Sequence, residues 1–366
     1  MKNKVGREIP AIYSDKNGVF NGEFSQRPTF KKASADVTPI FPGESKLVGS
    51  IREAIEKSGL KDGMTISFHH HFREGDYVLN MVMDEIVKMG IKNLSLASSS
   101  IANIHEPLID HIKNGVITHI TSSGLRDKLG LAISEGIMDS PVIIRSHGGR
   151  ARAIESGEIH IDVAFLGAPS SDEYGNANGS HGKAICGSIG YAMVDAAFAD
   201  KVVIITDTLM PYPNTPISIP QNHVDYVVEV EAIGDPNGIA KGATRFTTNP
   251  KELLIAEYGS KVITHSNLYR DGFSFQTGSG GSTLALTRYL ADQMRKDDIK
   301  AGFALGGITS NMTELLEEGL IKKIIDTQTF DIGGAESLSK NEHHYEISAS
   351  FYANPWSKGA AVNQLD

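Results

Sequence analysis

The chain repeats itself, and the repeat limits what it can fold into more than any other feature. The stretch "DGMTISFHHHFREGDYVLNMVMDEIVKMGIKNLSLASSSI" opens at Asp62, and "DGFSFQTGSGGSTLALTRYLADQMRKDDIKAGFALGGIT" opens at Asp271. Further on, Ile91-Lys92 falls on Ile299-Lys300, and "NGVITHI" falls on "EGLIKKI". The spacing between the copies shrinks slightly along the way, as insertions and deletions in loops would make it do. Within a copy, apolar runs alternate with helical spacing. "MTISFHHH" reads as a strand, "YVLNMVMDEIVKMG" as a helix closed by Gly90, and "IKNLSLASSS" and "VITHITSS" as further strands. Strands that alternate with helices in this way pair in parallel. The expected fold is therefore α/β, with two tandem parallel-sheet units of one design packed as a pseudo-dimer.

The predicted boundaries are an N-terminal arm over 1–48, a first unit over 49–260 and a second over 261–366. The arm mixes Gly, Pro and charge without a sustained period. The second unit is expected to be incomplete. In the first, "EIHID" ends at Asp162 and leads into "VAFLGAPSSDEYGNANG"; the matching "VNQLD" ends at Asp366. The first unit runs on past that point through "KVVIITD" and "VDYVVEV", whose counterparts would cover an exposed sheet edge in the second. The expectation is a piece of a longer protein.

A formal net charge of −9 speaks against a broad nucleic-acid or membrane-binding surface, because polyanions need a basic footprint. An acidic small molecule remains compatible if the cations are local. The single cysteine, Cys186, fits a reducing cytosol and reads as a packed hydrophobe rather than a nucleophile. No stretch approaches the ~20 apolar residues that cross a bilayer. The N-terminus carries no apolar signal core. A cytoplasmic location is expected.

In parallel α/β sheets, ligands bind beyond the carboxyl ends of the strands. Those positions carry His69-His70-His71 and Arg73, then Ser98 and Ser99, Ser122 and Ser123, and "IIRSHGGRAR" with Arg145, His147, Arg150 and Arg152. Guanidinium forks, hydroxyls and imidazoles converging on one edge suit a carboxylate-rich small molecule. On a continued strand, His69 and His71 would share a face and His70 would point away. Anion binding is preferred here to a metal site, because Arg73 would repel a cation and no zinc spacing is present, and to the plain alternative in which one histidine packs and the others are solvated. In the second copy, Gly280 and Gly281 sit at a strand-to-helix turn, and Gly306 and Gly307 end the next strand. Bare backbone there could meet a phosphate or a thioester oxyanion, or simply let a helix pack closely. Asp172 and Asn176 in "SSDEYGNANG" either hold a turn or position a cofactor arm.

The arm "GREIPAIYSDKNGVFNGEF", the "SFHHHFREGD" loop, "SHGGRARAIESGEIHIDVAFLGAPSSDEYGNANG" and "FQTGSGGSTLALTRYL" together resemble citrate lyase alpha subunits, members of the coenzyme A transferase superfamily. The resemblance implies two coenzyme A transferase-like units, the second incomplete, in a chain that normally runs further. It implies exchange of the acetyl group of an acyl-carrier-protein thioester for citrate, within a complex that also holds beta and acyl carrier (gamma) subunits. It implies no permanently bound cofactor, the reaction instead using the coenzyme A-like prosthetic group of the carrier; from the residues alone, no metal is expected. A homo-oligomer is also expected. On this reading His69, His71, Arg73, Ser98, Ser99 and Arg150 bind citrate, backbone at Gly280, Gly281, Gly306 and Gly307 holds the oxyanion, and Asp172 and Asn176 face the thioester arm. One departure matters. Better-known coenzyme A transferases form a covalent thioester on a glutamate at a strand end, and here Gly306 stands in that place. Direct exchange is then favoured. The rivals are an acetate-type coenzyme A transferase, a sugar-phosphate isomerase on a related fold, and an assembly module without turnover.

Overall fold

The computed structural model describes residues 43–240 and 247–366, together with residues 2, 7, 8, 37, 38 and 40; most of the predicted arm lies outside the described residues. The first unit contributes strands β1 (Leu47–Val48), β2 (Thr65–Ser67), β3 (Leu94–Leu96), β4 (Ile117–Ser122), β5 (Ile143–Ile144) and β6 (Val163–Gly167). A short antiparallel hairpin, β7 (Ser170–Ser171) and β8 (Ala177–Asn178), follows, then β9 (Lys201–Thr206) and β10 (Tyr226–Glu229). Eight of these form one sheet in the order β1-β10-β9-β6-β2-β3-β4-β5, every pair parallel. The central strands are apolar throughout because helices cover both faces: all five residues of β6 are buried. Helix Ile51–Ser58 shows how the local signals work. Ser50 caps its first turn by accepting from the Glu53 amide at 3.1 Å, and Gly59 ends it in the left-handed region at φ 73°.

The second unit carries β11 (Ser274–Gln276), β12 (Phe303–Ile308), β13 (Ile324–Thr329) and β14 (His344–Glu346), parallel and in that order. This is the succession β2-β3-β4-β5 again, and the repeat reaches individual hydrogen bonds. Asp62 accepts from the Lys92 amide at 2.8 Å, and Asp271 accepts from the Lys300 amide at 3.1 Å. Asp162 accepts from the Thr65 amide at 2.7 Å, and Asp366 accepts from the Ser274 amide at 2.9 Å. Each carboxylate ties the start of a strand to the segment beside it, so the same residue was retained in both copies for the same bond.

Two expectations need adjusting. The strand predicted over "MTISFHHH" stops at Ser67, and the histidines lie beyond it, leading into a 3-10 turn at Arg73–Gly75. Helix Pro250–Thr264, which the boundary at 260 divides, packs along helix Gly281–Asp297 and so belongs with the second unit. The units meet where the carboxyl ends of the first sheet face β13 and β14. Ser188 donates its amide to Thr329 Oγ1 at 2.9 Å, and the Ile189 amide and Ser218 hydroxyl both donate to Glu346 at 2.5 Å.

Candidate active site between the two units

Past Ser67 the chain alternates between core and cleft. Phe68 stacks on Phe165 with ring centroids 5.9 Å apart, and Phe72 is buried against Gly167, where any side chain would collide with its ring. His69 and His71 share the inward side and are held by each other. His69 Nε2 donates to the Gly167 carbonyl at 2.7 Å, which leaves Nδ1 as the acceptor that faces the His71 amide and His71 Nδ1, the latter at 3.1 Å. Burial lowers the pKa of both, with the neighbouring imidazoles adding to the effect at His71. They form a neutral, largely enclosed pair.

His70 points the other way, into the junction between units. Its Nδ1 lies 2.5 Å from Ser99 Oγ and its Nε2 lies 3.1 Å from Gln328 Oε1 on β13. An amide oxygen can only accept, so Nε2 carries the proton and the Ser99 hydroxyl donates to Nδ1. The ring lies parallel to His147 at 5.7 Å and packs on Tyr191 at 4.9 Å. Burial, then the proximity of His147, pushes its pKa well below the ordinary value. This chain Ser99–His70–Gln328 spans the two units.

The arginines singled out in the sequence are engaged with protein groups. Arg73, with a left-handed φ of 51°, gives its guanidinium to the carbonyls of Thr329 and Phe330, the latter at 2.7 Å, and lies 5.3 Å over the Phe330 ring. Burial lowers its pKa to about 10. It fastens one unit to the other. Arg150 is buried and pairs in a fork with Asp195 at 2.7 and 2.8 Å, while donating to the Ala97 carbonyl at 2.6 Å. Arg145 and Arg152 both bind Glu158. Ser98 is buried and donates to the Ser100 carbonyl at 2.9 Å.

Asp172 and Asn176 are also buried, and their polar atoms serve their own loop. Asp172 accepts from the amides of Tyr174, Asn176 and Asn214 and from Asn176 Nδ2, and Asn176 exchanges hydrogen bonds with Gln221. This arrangement is a loop brace. The glycines of the second unit behave differently. Gly306 has φ 107° and no room for a Cβ beside Gln276; Gly307 abuts the Phe330 ring, and the β12–β13 register shifts between them. Gly280 caps helix Gly281–Asp297 with no side-chain acceptor, so the first-turn N–H groups have no cap. Since β11 pairs with β12, both glycine pairs lie at the same edge of the second sheet.

The structure thus brings His70, Ser99 and Arg73 to one junction, with Gly306 and Gly307 on the strand that pairs with Gln328. Asp172 and Asn176 keep to their own loop. Sequence reasoning missed Gln328 and Tyr191, whose partners are remote in the chain. A cavity of about 670 Å³ lies elsewhere, between helices Ser310–Glu317 and Ile332–Lys340. Its lining includes Glu314, Glu317, Glu336 and Glu342, which would repel an anion.

Fold and site together define a two-unit parallel α/β protein whose junction collects imidazoles, hydroxyls and guanidiniums. The chain belongs to the citrate lyase alpha subunit (CitF) family, whose model matches residues 44–366. It is 58% identical over 323 residues to the citrate lyase alpha chain of Haemophilus influenzae, covering 88% of this chain and 65% of that one. It is 57% identical to the Escherichia coli alpha chain, covering 88% of this chain and 63% of that one. The chain therefore spans less than two thirds of the length of these relatives. A crystal structure of an alpha subunit of citrate lyase from Streptococcus mutans in complex with citrate superposes with a TM-score of 0.94 at 69% identity, covering 100% of this chain and 72% of that one. The alpha subunit of malonate decarboxylase from Acinetobacter baumannii shares the fold, with a TM-score of 0.60 at 16% identity over 78% of this chain and 52% of that one. Among the described residues, no helix is long and apolar enough to cross a membrane.

Proposed function

We propose that this chain carries the citrate-binding and acyl-exchange site of a citrate:acyl-carrier-protein transferase, built from two coenzyme A transferase-like units of which the second is incomplete. The observation that carries the reading is the junction itself, where Ser99–His70–Gln328 links the units at their carboxyl edges, in a chain so similar to a citrate-bound relative. A citrate carboxylate oxygen attacks the acetyl thioester carbonyl, and the carbon–sulfur bond breaks to release the thiolate and a mixed anhydride. The thiolate then attacks the citryl carbonyl, giving citryl thioester and free acetate. No enzyme nucleophile enters this scheme, in keeping with glycine at 306.

Catalysis then rests on donors that meet the developing oxyanion. The backbone at Gly306 and Gly307 and the uncapped helix start at Gly280 and Gly281 are the candidates, and such donors supply about 3–4 kcal/mol each. The carrier arm enters as a substrate, so the chain needs no resident cofactor or metal. Its proposed partners are a beta subunit that cleaves citryl thioester, an acyl carrier subunit and further copies of itself, in the cytoplasm. Mixing the protein with acetyl-coenzyme A, as carrier surrogate, and citrate should yield citryl-coenzyme A and acetate by mass spectrometry. No product from this chain or from a form of full relative length would refute the transferase reading.

A further inference from the structure

Among the donors at the junction, one guanidinium and one imidazole are uncommitted. His69 and His71 bond to each other, His70 has both nitrogens occupied, Arg73 is spent on carbonyls, and Arg150, Arg145 and Arg152 are paired with carboxylates. Among the described residues, Arg126 and His147 alone in this set donate to no protein group. Both keep exposed surface, His147 with its ring packed on His70 and Tyr191 on the inner side, and both begin helices at the same sheet edge, Asp127–Ser134 after β4 and His147–Glu155 after β5. The strands below them are paired, with the Arg145 amide donating to the Ser122 carbonyl at 2.9 Å. The Ser123 amide in turn donates to the carbonyl of Ser99, the residue that holds His70. His147 stacks on His70 and lies 5.0 Å from Tyr191. The charge of Arg126 reaches both His147 and Arg73.

From this inventory we infer that Arg126 and His147 are the specificity-determining residues that grip a carboxylate of the tricarboxylate substrate at the mouth of the junction. The assignment rests on the proposed citrate site. The inward histidines and the paired arginines shape the floor beneath it. An open guanidinium and an open imidazole are suited to the task, because their donors are released from water rather than from a protein partner when the anion arrives. Burial, then Arg150 and Arg126, disfavours the charged form of His147 in the empty protein. A bound carboxylate favours it, so binding draws in a proton. The titratable and charged groups around the ring are His70, Tyr191, Arg126 and Arg150 on its own helix; Tyr352, on the helix Ala349–Ala353 packed against that helix, acts on Tyr191.

Isothermal titration with citrate, in buffers of different ionisation enthalpy, tests this. Arg126→Ala should weaken binding about 10- to 100-fold, the range expected for a hydrogen bond to a charged group, with Arg126→Lys restoring part of it. His147→Asn should weaken binding and abolish the proton uptake that the unmodified protein shows. Lys128→Ala, which removes a nearby exposed charge paired with Glu106, should change neither. If the unmodified chain binds citrate and both variants bind it equally well with unchanged proton uptake, the assignment falls while the citrate site stands. If the unmodified chain binds no citrate, the site reading falls and takes the assignment with it.

Discussion

Arg150 illustrates how far a side chain's role is set by its partner rather than its type. In sequence it is one of several arginines after a strand end; in the fold it is 2% exposed and locked to Asp195, which is 0% exposed. Removing one member of such a pair leaves the other charge buried and unpaired, at a cost of about 3–5 kcal/mol. Arg150→Ala should therefore lower unfolding free energy in urea by that amount, whereas Arg150→Met combined with Asp195→Leu should recover much of it. A variant that keeps full stability and loses only citrate affinity would return Arg150 to the substrate. The sequence could place this residue at the correct edge, because strand ends are readable. It could not choose between a ligand and a carboxylate 45 positions away. The triple histidine has the same character. Alternation held in kind, with His69 and His71 together and His70 apart, but the core claimed the pair and the junction received the single ring.

At the scale of elements, β14 carries the least ordinary carboxylate. Glu346 accepts from the Ile189 amide and the Ser218 hydroxyl of the first unit, and burial, more than those bonds can offset, raises its pKa from 4.5 to about 7. A carboxyl with a raised folded pKa stabilises fully below its unfolded value and progressively less as pH climbs through the folded one. Between about pH 4.5 and 7, ionising Glu346 should weaken the β14 contact by up to about 3 kcal/mol. Thermal unfolding followed across that range should lose this slope in Glu346→Gln; an unchanged slope would remove Glu346 as its source. Elements were the most readable level, since Gly59 and Gly90 mark helix ends and apolar runs mark strands. What failed was ownership: helix Pro250–Thr264 sits next to the first unit in sequence, but packs on Gly281–Asp297. Packing partners are a tertiary matter.

For the whole molecule, the duplicated design was legible because the same aspartates make the same bonds in both copies, at Asp62 and Asp271 and again at Asp162 and Asp366. Duplication also explains where a site can form. Each sheet brings its carboxyl edge to the other, the first contributing imidazoles and cations and the second contributing the glycines at 280–281 and 306–307. That division suits a reaction in which an anion on one side meets a thioester on the other. Amide hydrogen exchange with and without saturating citrate tests this arrangement most directly. Slower exchange is expected in 69–73, 98–101, 123–127 and 146–150 of the first unit and in 306–309 and 328–331 of the second, with helix Pro250–Thr264 unaffected. Unchanged exchange across those segments, or protection confined to the outer helices of the second unit, would contradict a citrate site between the units.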